Sequence, residues 1–335
     1  MTQNRNKPAI LGKSYSLPHK RVTSTGLLDS QRKDINEILS RLLDHGVFAR
    51  QKDMGVHNIA VLSDETILDL AIDASRNSIR EAEIRPEQID LILDFSVTGT
   101  CENGVALGFG VQADLPISNA RVLKVGSAAC ASFHGAMLVA RSMLESEPAI
   151  EHILLVAGES PPEEARVMFP LALLGDGAAA MVMGRNHESS KRLVSVEITS
   201  TGTLRKTIGV PKCHDRVEID LELLQRRLFV SHLKGVRDTC LKALDSAGIS
   251  LDDVDLLIPP NMSKADQDAY RKILGFPVED AYRFALPDTG HVFGCDCIIN
   301  WCRAEENHVI PGRGIVLLAS SGAGFGWGAA VIEIR

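Results

Sequence analysis

The chain has 335 residues, of which 45% are hydrophobic and 24% charged, and a formal net charge of −7. That is enough chain to bury a large core, as one big domain or two fused ones, with ordinary globular usage. The acidic balance and the lack of a clustered Lys/Arg run argue against nucleic acid, no apolar run reaches membrane-spanning length, and the first twenty residues lack the apolar core of a signal peptide, so a cytoplasmic protein is expected. Seven cysteines, at 101, 130, 213, 240, 295, 297 and 302, read as free thiols in a reducing compartment.

Taken in chain order, the pattern predicts a helix near 66–83, a strand near 91–96, a helix near 103–113 and a strand near 121–125. A long helix near 131–145 follows, then strands near 152–157 and 178–183 and a helix near 219–247. The chain closes with a strand near 255–258, helices near 264–274 and 295–305, and strands near 314–319 and 328–334. Several strands are short runs of Val, Ile and Leu, as expected for strands buried on both faces. The alternation of strand and helix implies layered α/β packing. The division expected is 1–185 and 186–335, with no Gly/Ser or Pro linker between, so that the halves share one core.

The chain also repeats itself. SRNSIREAEIRPEQIDLIL (75–93) and CLKALDSAGISLDDVDLLI (240–258) align at an offset of 165, pairing Ile84 with Ile249, Asp90 with Asp255 and Leu91 with Leu256. The same offset carries Cys130 onto Cys295, so each half holds a loop-to-helix junction at one internal position. The first junction is GSAACASF, in which Gly126, Ser127, Ala128 and Ala129 permit a sharp turn and close ligand approach. Cys130 then opens an apolar helix, where the positive end of the helix dipole favours a nucleophilic thiolate. A small buried thiol in an Ala-rich helix is an equally open reading. The second junction is GHVFGCDCIINWC (290–302), with one histidine, one aspartate and three cysteines. Cys295 and Cys297 point to different helix faces, and no second cysteine pair has structural-zinc spacing, so no metal is expected.

SAACASF with its apolar helix resembles the active-site elbow of β-ketoacyl-ACP synthase III and the wider thiolase superfamily. Agreement continues in ILGKSYSLP (10–18), LLGDGAAAMVM (173–183), LLIPPN (256–261) and the Gly-rich LLASSGAGFGWGAAVIEI (317–334). The resemblance implies a thiolase-like α/β fold of duplicated βαβ halves in five layers, α-β-α-β-α, and a homodimer. It maps the nucleophile onto Cys130 and the oxyanion hole onto the backbone N–H groups of Cys130 and Ala323. It implies no cofactor, and the Gly-rich turn lacks the strand-to-helix setting of a dinucleotide fingerprint.

The departures from that family are specific. Where the family has a histidine, the chain has Pro260, and where it has an asparagine, the chain has His291. The machinery of decarboxylative condensation is therefore altered. His291 can act as a general base, with Asp296 five residues on to fix its tautomer. Gly-His followed by Asp at this interval resembles the ketosynthase-III-like acyltransferases of natural-product pathways, which use a Cys- or Ser-His-Asp set. A dipole-stabilised carboxylate at a helix start is the plainer reading of Asp296. His134, four residues after Cys130, is a rival base that reads more simply as structural.

Glu102 and Gly104 in TCENG fall where relatives reach a neighbouring subunit's acyl tunnel. Relatives that take acyl-CoA often stack adenine between Trp and Arg. The corresponding DINEILSRLLDHG (34–46) has no Trp, and the Arg position falls near Met168. An acyl carrier protein is therefore expected as donor ahead of acyl-CoA, with a small-molecule O, N or S nucleophile as acceptor. An atypical condensing enzyme and a non-catalytic ketosynthase partner are the alternatives.

Overall fold

The computed structural model describes residues 8–30, 54–126, 128–168, 171–185, 189–204, 229–279, 281–322 and 326–335. The N-terminal half contributes strands β1 (Ala9–Ser16), β2 (Arg21–Thr23), β3 (Asn58–Ala60), β4 (Leu91–Asp94), β5 (Arg121–Lys124), β6 (His152–Glu159), β7 (Val167–Met168), β8 (Ala172–Leu173) and β9 (Gly177–Gly184). Its helices are α1 (Ser24–Ser30), α2 (Ile67–Glu81), α3 (Leu107–Asp114) and α4 (Ser132–Ser146). The second half adds β10 (Lys191–Ser200), α5 (Phe229–Ala247), β11 (Leu256–Ile258), α6 (Lys264–Ile273), α7 (Leu286–Thr289), α8 (Asp296–Glu306), β12 (Gly314–Gly322) and β13 (Gly326–Ile334). No described helix is long and apolar enough to cross a membrane.

The main sheet runs β11-β12-β13-β10-β1-β9-β6-β4-β5. Its two halves meet at β1 and β10 through the single register pair Ala9↔Arg192. Helices α4 and α8 lie between the half-sheets: α4 packs on β4 and β6 and also on β10 and β13, and α8 packs on β1 and β9 and also on β11 and β12. Outside them, α2 and α3 cover the N-terminal half-sheet, and α5, with α6 beside it, covers the other. The result is the α-β-α-β-α layering of the thiolase fold.

Period-two alternation of side chains explains why apolar runs form these strands. Leu91, Leu93, Ile153, Leu155, Met181, Val316, Leu318 and Ala330 point inward to one cluster with Phe133, Met137, Ile298 and Trp301 of the central helices. Their neighbours Ile92, Leu154, Val156 and Val182 point outward under α2 and α3. In the other half, Leu317, Ala319 and Val331 point outward under α5. Each fully buried Leu, Ile or Val contributes about 1.5–3 kcal/mol.

The repeat read from the sequence is structural. A short 3-10 turn at Pro86–Gln88 leads into β4, and its counterpart at Leu251–Asp253 leads into β11. The Asp90 N–H donates to the His152 carbonyl at 3.0 Å while its carboxylate accepts from the N–H of His152 at 3.0 Å. The Asp255 N–H likewise donates to the Ile315 carbonyl at 2.9 Å, and its carboxylate accepts from the Ile315 N–H at 2.8 Å.

The expected helices and strands all appear, with ends shifted by a few residues; the 219–228 part of the long helix lies outside the described residues. Strand β10 was not anticipated from the pattern. It carries Lys191, Arg192, Ser195, Glu197 and Thr199, and a register shift between Leu193 and Ser195 breaks the period of two, so that Leu193 and Val196, three residues apart, both reach the central cluster. Ser195 is buried because its hydroxyl donates to the Ala243 carbonyl at 2.6 Å, which satisfies it under α5.

Candidate active site

The first junction is a tight turn. Beyond β5 the chain passes Gly126, where an added Cβ would lie 2.4 Å from the Ser96 carbonyl oxygen. Ala129 takes φ 48°, a left-handed conformation that is uncommon for a residue with a side chain. The turn Ala129–Ala131 then runs into α4. The end of β12 presses on this turn: a Cβ on Gly322 would lie 2.1 Å from the Ala128 carbonyl oxygen and 3.1 Å from the Cys130 nitrogen. Only glycine allows that approach.

The second junction is set by Gly290, at φ 67° and with room for no Cβ, since one would stand 2.5 Å from the Leu173 carbonyl oxygen. The next residue is clamped on both sides. The His291 N–H donates to the Leu173 carbonyl at 2.8 Å, and its own carbonyl accepts from the Gly175 N–H at 3.0 Å. Phe293 stacks on the imidazole at 5.5 Å. Asp296 is the first residue of α8, where the helix dipole favours a carboxylate.

These clamps bring Cys130, His291 and Asp296 into one line. His291 Nε2 lies 3.1 Å from Cys130 Sγ, and Nδ1 lies 2.5 Å from Asp296 Oδ2. Asp296 is braced by the Val292 N–H, donating to Oδ1 at 2.8 Å, and the Asn261 N–H, donating to Oδ2 at 2.6 Å. All three side chains are buried, with Cys130 the most accessible at 8%. Burial alone would lower the imidazole's pKa, but the Asp296 carboxylate and the Cys130 sulfur outweigh it and hold His291 well above its ordinary 6.5. The arrangement can pass a proton from sulfur to imidazole with the ring's tautomer fixed by the carboxylate.

The other candidates fall elsewhere. His134 Nδ1 faces the Ser320 hydroxyl at 2.8 Å, and complete burial pushes its pKa down to about 3, so it stays neutral. Gly104 stands at an exposed loop tip where an added Cβ would meet no atom within 4 Å. The Glu102 side chain, Ser127, Cys213, Ala323 and the segment 34–46 lie outside the described residues. Cys295, Cys297 and Cys302 are buried in the central core.

Asn261 is the contributor that residue-by-residue reading missed. In IPPN, attention falls on Pro260 as a lost histidine, whereas the following residue supplies a backbone donor to Asp296. The segment is itself held by amides: Asn300 Nδ2 donates to the Pro259 carbonyl at 2.8 Å and to Asn261 Oδ1 at 2.9 Å. Consecutive prolines, which cannot continue a helix, before a buried polar residue are the one available signal.

Comparison with known proteins bears on the family and the fold. A family model described as 3-oxoacyl-[acyl-carrier-protein (ACP)] synthase III matches residues 126–202, and that family's C-terminal model matches 244–334. The chain belongs to the 3-oxoacyl-ACP synthase III-like members of the thiolase superfamily. A β-ketoacyl-[acyl-carrier-protein] synthase III of Oceanobacillus iheyensis is 26% identical over 328 residues, covering 97% of this chain and 98% of that protein. The corresponding protein of Aquifex aeolicus is 24% identical over 281 residues, covering 83% and 88%.

Among solved structures, the acyltransferase ChlB3 superposes with a TM-score of 0.81 at 19% identity, covering 98% of each chain. The priming β-ketosynthase of the R1128 polyketide pathway superposes with a TM-score of 0.80 at 22% identity, covering 99% of this chain and 97% of that one. These likenesses establish the fold. The family is one of acyl-transferring and condensing enzymes, so the chain is placed among enzymes that handle acyl thioesters.

Proposed function

We propose that this protein is an acyltransferase of the Cys-His-Asp type. The reading rests on one observation: Cys130, His291 and Asp296 stand in hydrogen-bond sequence while position 260, a histidine in the condensing members, is a proline. In the first half-reaction Cys130 Sγ gives its proton to His291 Nε2 and attacks the thioester carbonyl of the donor. The backbone N–H groups of Cys130 and Ala323 hold the oxyanion. Collapse breaks the donor's carbon–sulfur bond, the leaving thiol takes the proton from His291, and an acyl thioester remains on Cys130.

In the second half-reaction His291 accepts the proton of an O, N or S nucleophile as it attacks that thioester. Collapse then breaks the acyl carbon–Sγ bond, the acyl group leaves on the acceptor, and His291 returns the proton to Cys130 Sγ. Asp296 keeps Nδ1 protonated and steadies the imidazolium in both halves. The donor is an acyl carrier protein in preference to acyl-CoA, the acceptor is a natural-product intermediate, and the setting is the cytoplasm.

A homodimer fits the same reading. Strand β5 is an edge of the main sheet and exposes Leu123, and α3 beside it exposes Phe109. The loop with Glu102 and Gly104 precedes α3 at that edge, where it can reach a second copy's acyl tunnel. Residues 1–185 and 186–335 are the two units of the duplication.

The test is intact-mass spectrometry after incubation with an acyl-loaded carrier protein. An acyl adduct on the wild type and none on Cys130→Ala is the expected result; normal turnover by Cys130→Ala would end this reading. The curated relatives' names support a second reading, condensation, which requires CO2 release from a malonyl donor and a new carbon–carbon bond in the product.

A further inference from the structure

Next to the Cys130 site, between α5, α6 and the β12–β13 hairpin, four buried side-chain atoms have no hydrogen-bond partner among the described residues: Asp266 Oδ2, Gln267 Oε1, the Tyr270 hydroxyl and Trp327 Nε1. Buried polar groups in folded proteins are paired, so four orphans in one place call for an occupant. They are neighbours. Asp266, Gln267 and Tyr270 lie on one stretch of α6. Tyr270 faces Asp266 and Ser321 without a hydrogen bond of good geometry, and Trp327 is the cross-strand partner of Ser321. The indole lies flat on α5 at Gly235, where a Cβ would stand 2.1 Å from Trp327 Cε2, the carbon bonded to Nε1. One turn earlier on α5, His232 Nε2 meets Asp266 Oδ1 at 3.1 Å, and its ring lies 5.9 Å from that of Tyr270.

Two links tie this cluster to the reacting atoms. Gln267 Nε2 donates to the Pro260 carbonyl at 3.2 Å, beside the Asn261 N–H that braces Asp296. Ser321 precedes Gly322, which lies against Ala128 and Cys130. The cluster also has an open side. Gln267 and Tyr270 are fully buried, while the His232 and Asp266 side chains keep 12% and 15% of their surface.

The orphans comprise two donors, the indole N–H and the phenol O–H, and two acceptors, the carboxylate and amide oxygens. A hydroxyl donates once and accepts in the same contact, so two adjacent hydroxyls match this set atom for atom. We propose that His232, Asp266, Gln267, Tyr270 and Trp327 form a subsite for a vicinal diol, the recognition element of a polyhydroxylated acceptor. That the diol belongs to the acceptor rests on the acyl-transfer reading; diol binding itself does not.

The full chain carries two tryptophans, Trp301 and Trp327, so 5-fluorotryptophan labelling gives two fluorine resonances, assigned by the one lost in Trp327→Phe. Titration with cis-1,2-cyclohexanediol is expected to shift the Trp327 resonance saturably, with cyclohexanol at least tenfold weaker. Tyr270→Phe and Gln267→Met should each weaken the diol fivefold or more. Asp266→Asn at the partly exposed mouth should do the same and serves if a core variant fails to fold. An unmoved resonance means that water alone fills the cluster and overturns the proposal, as does an equal response to diol and mono-ol or an unchanged affinity in every variant. Acylation of Cys130, followed by intact mass on the same protein, reports separately on the acyl-transfer reading.

Discussion

Cys130 and Cys295 occupy matching positions 165 residues apart, each in a 3-10 turn that opens a central helix. A residue at positive φ precedes each of them, Ala129 at 48° one residue before Cys130 and Phe293 at 49° two residues before Cys295. Yet the two thiols have different surroundings. Cys130 keeps 8% of its surface and faces His291 at 3.1 Å. Cys295 is fully buried and donates to the Ala157 carbonyl at 3.6 Å; burial, with Glu159 and Asp296 nearby, pushes its thiol well above the ordinary value. A helix start alone therefore does not place a thiol beside a base. The second junction spends its polar residues, His291 and Asp296, on the cysteine of the first.

The largest expected effect breaks this asymmetry directly. Cys130→Ala should remove the acyl adduct and cost turnover about 10³-fold or more, whereas Cys295→Ala should keep the adduct. Timed alkylation with iodoacetamide and peptide mass mapping should show Cys130 modified well before Cys295. Equal rates would place the difference outside the contacts described above.

Next in size is the carboxylate that joins the junctions. Asp296→Asn leaves a side chain of similar shape but removes the fixed tautomer, and should lower turnover about 10²- to 10⁴-fold. It also breaks a buried pair, at a cost of about 3–5 kcal/mol. Because folding raises the His291 pKa above 6.5, the pair's stabilisation is full below that pH and fades as pH climbs through the folded value. The gap between wild-type and Asp296→Asn denaturation midpoints should thus be widest in mildly acidic buffer and narrow in alkaline buffer. A gap independent of pH would show that the imidazolium is not what the carboxylate stabilises.

A smaller effect separates the two buried histidines. His134 sits in the first turn of α4 and is held neutral, its pKa down to about 3, because burial meets no carboxylate there. Its sign is opposite to that of His291: the unfolded chain takes up a proton below 6.5, so stability is lost as pH falls from 6.5 toward 3. This group contributes a slope of about 1.4 kcal/mol per pH unit. His134→Asn should remove that slope from the acid-unfolding curve. Removal of the slope with acylation retained would fix the histidine's role as packing beneath Gly328, whose missing Cβ leaves space for its ring.

These contrasts show what a sequence can carry. The duplication was legible because Ile84, Asp90 and Leu91 recur as Ile249, Asp255 and Leu256, and short apolar strands announce themselves when both faces are buried. The contact between positions 130 and 291 followed from the offset together with the family resemblance. Strand β10 was illegible because its buried polar groups are satisfied by partners distant in sequence, such as Ala243 for Ser195. Asn261 was illegible for a related reason. Its service to Asp296 is a backbone N–H, which every residue except proline carries. Gly104 and Met168 could be placed only by alignment to relatives, and no local pattern says what either one faces.

The smallest effect tests the duplication as physics. Asp90 and Asp255 make the same two-way clasp, N–H to a carbonyl and carboxylate to that same residue's N–H, at the base of parallel strand pairs β4–β6 and β11–β12. Asp90 holds one donor more, the Glu151 N–H at 2.7 Å, and is less exposed than Asp255. Asp90→Ala should therefore cost about 1.5–2 kcal/mol and Asp255→Ala about 1 kcal/mol or less, read from urea midpoints at constant slope. The clasps serve different half-sheets and share no partner, so the double variant should be additive within about 0.5 kcal/mol. A larger coupling would mean that strain at one half-sheet's base crosses α4 and α8 to reach the other. The Cys130–His291 distance, which spans that same central layer, would then respond to either substitution, and the alkylation rate of Cys130 would report it.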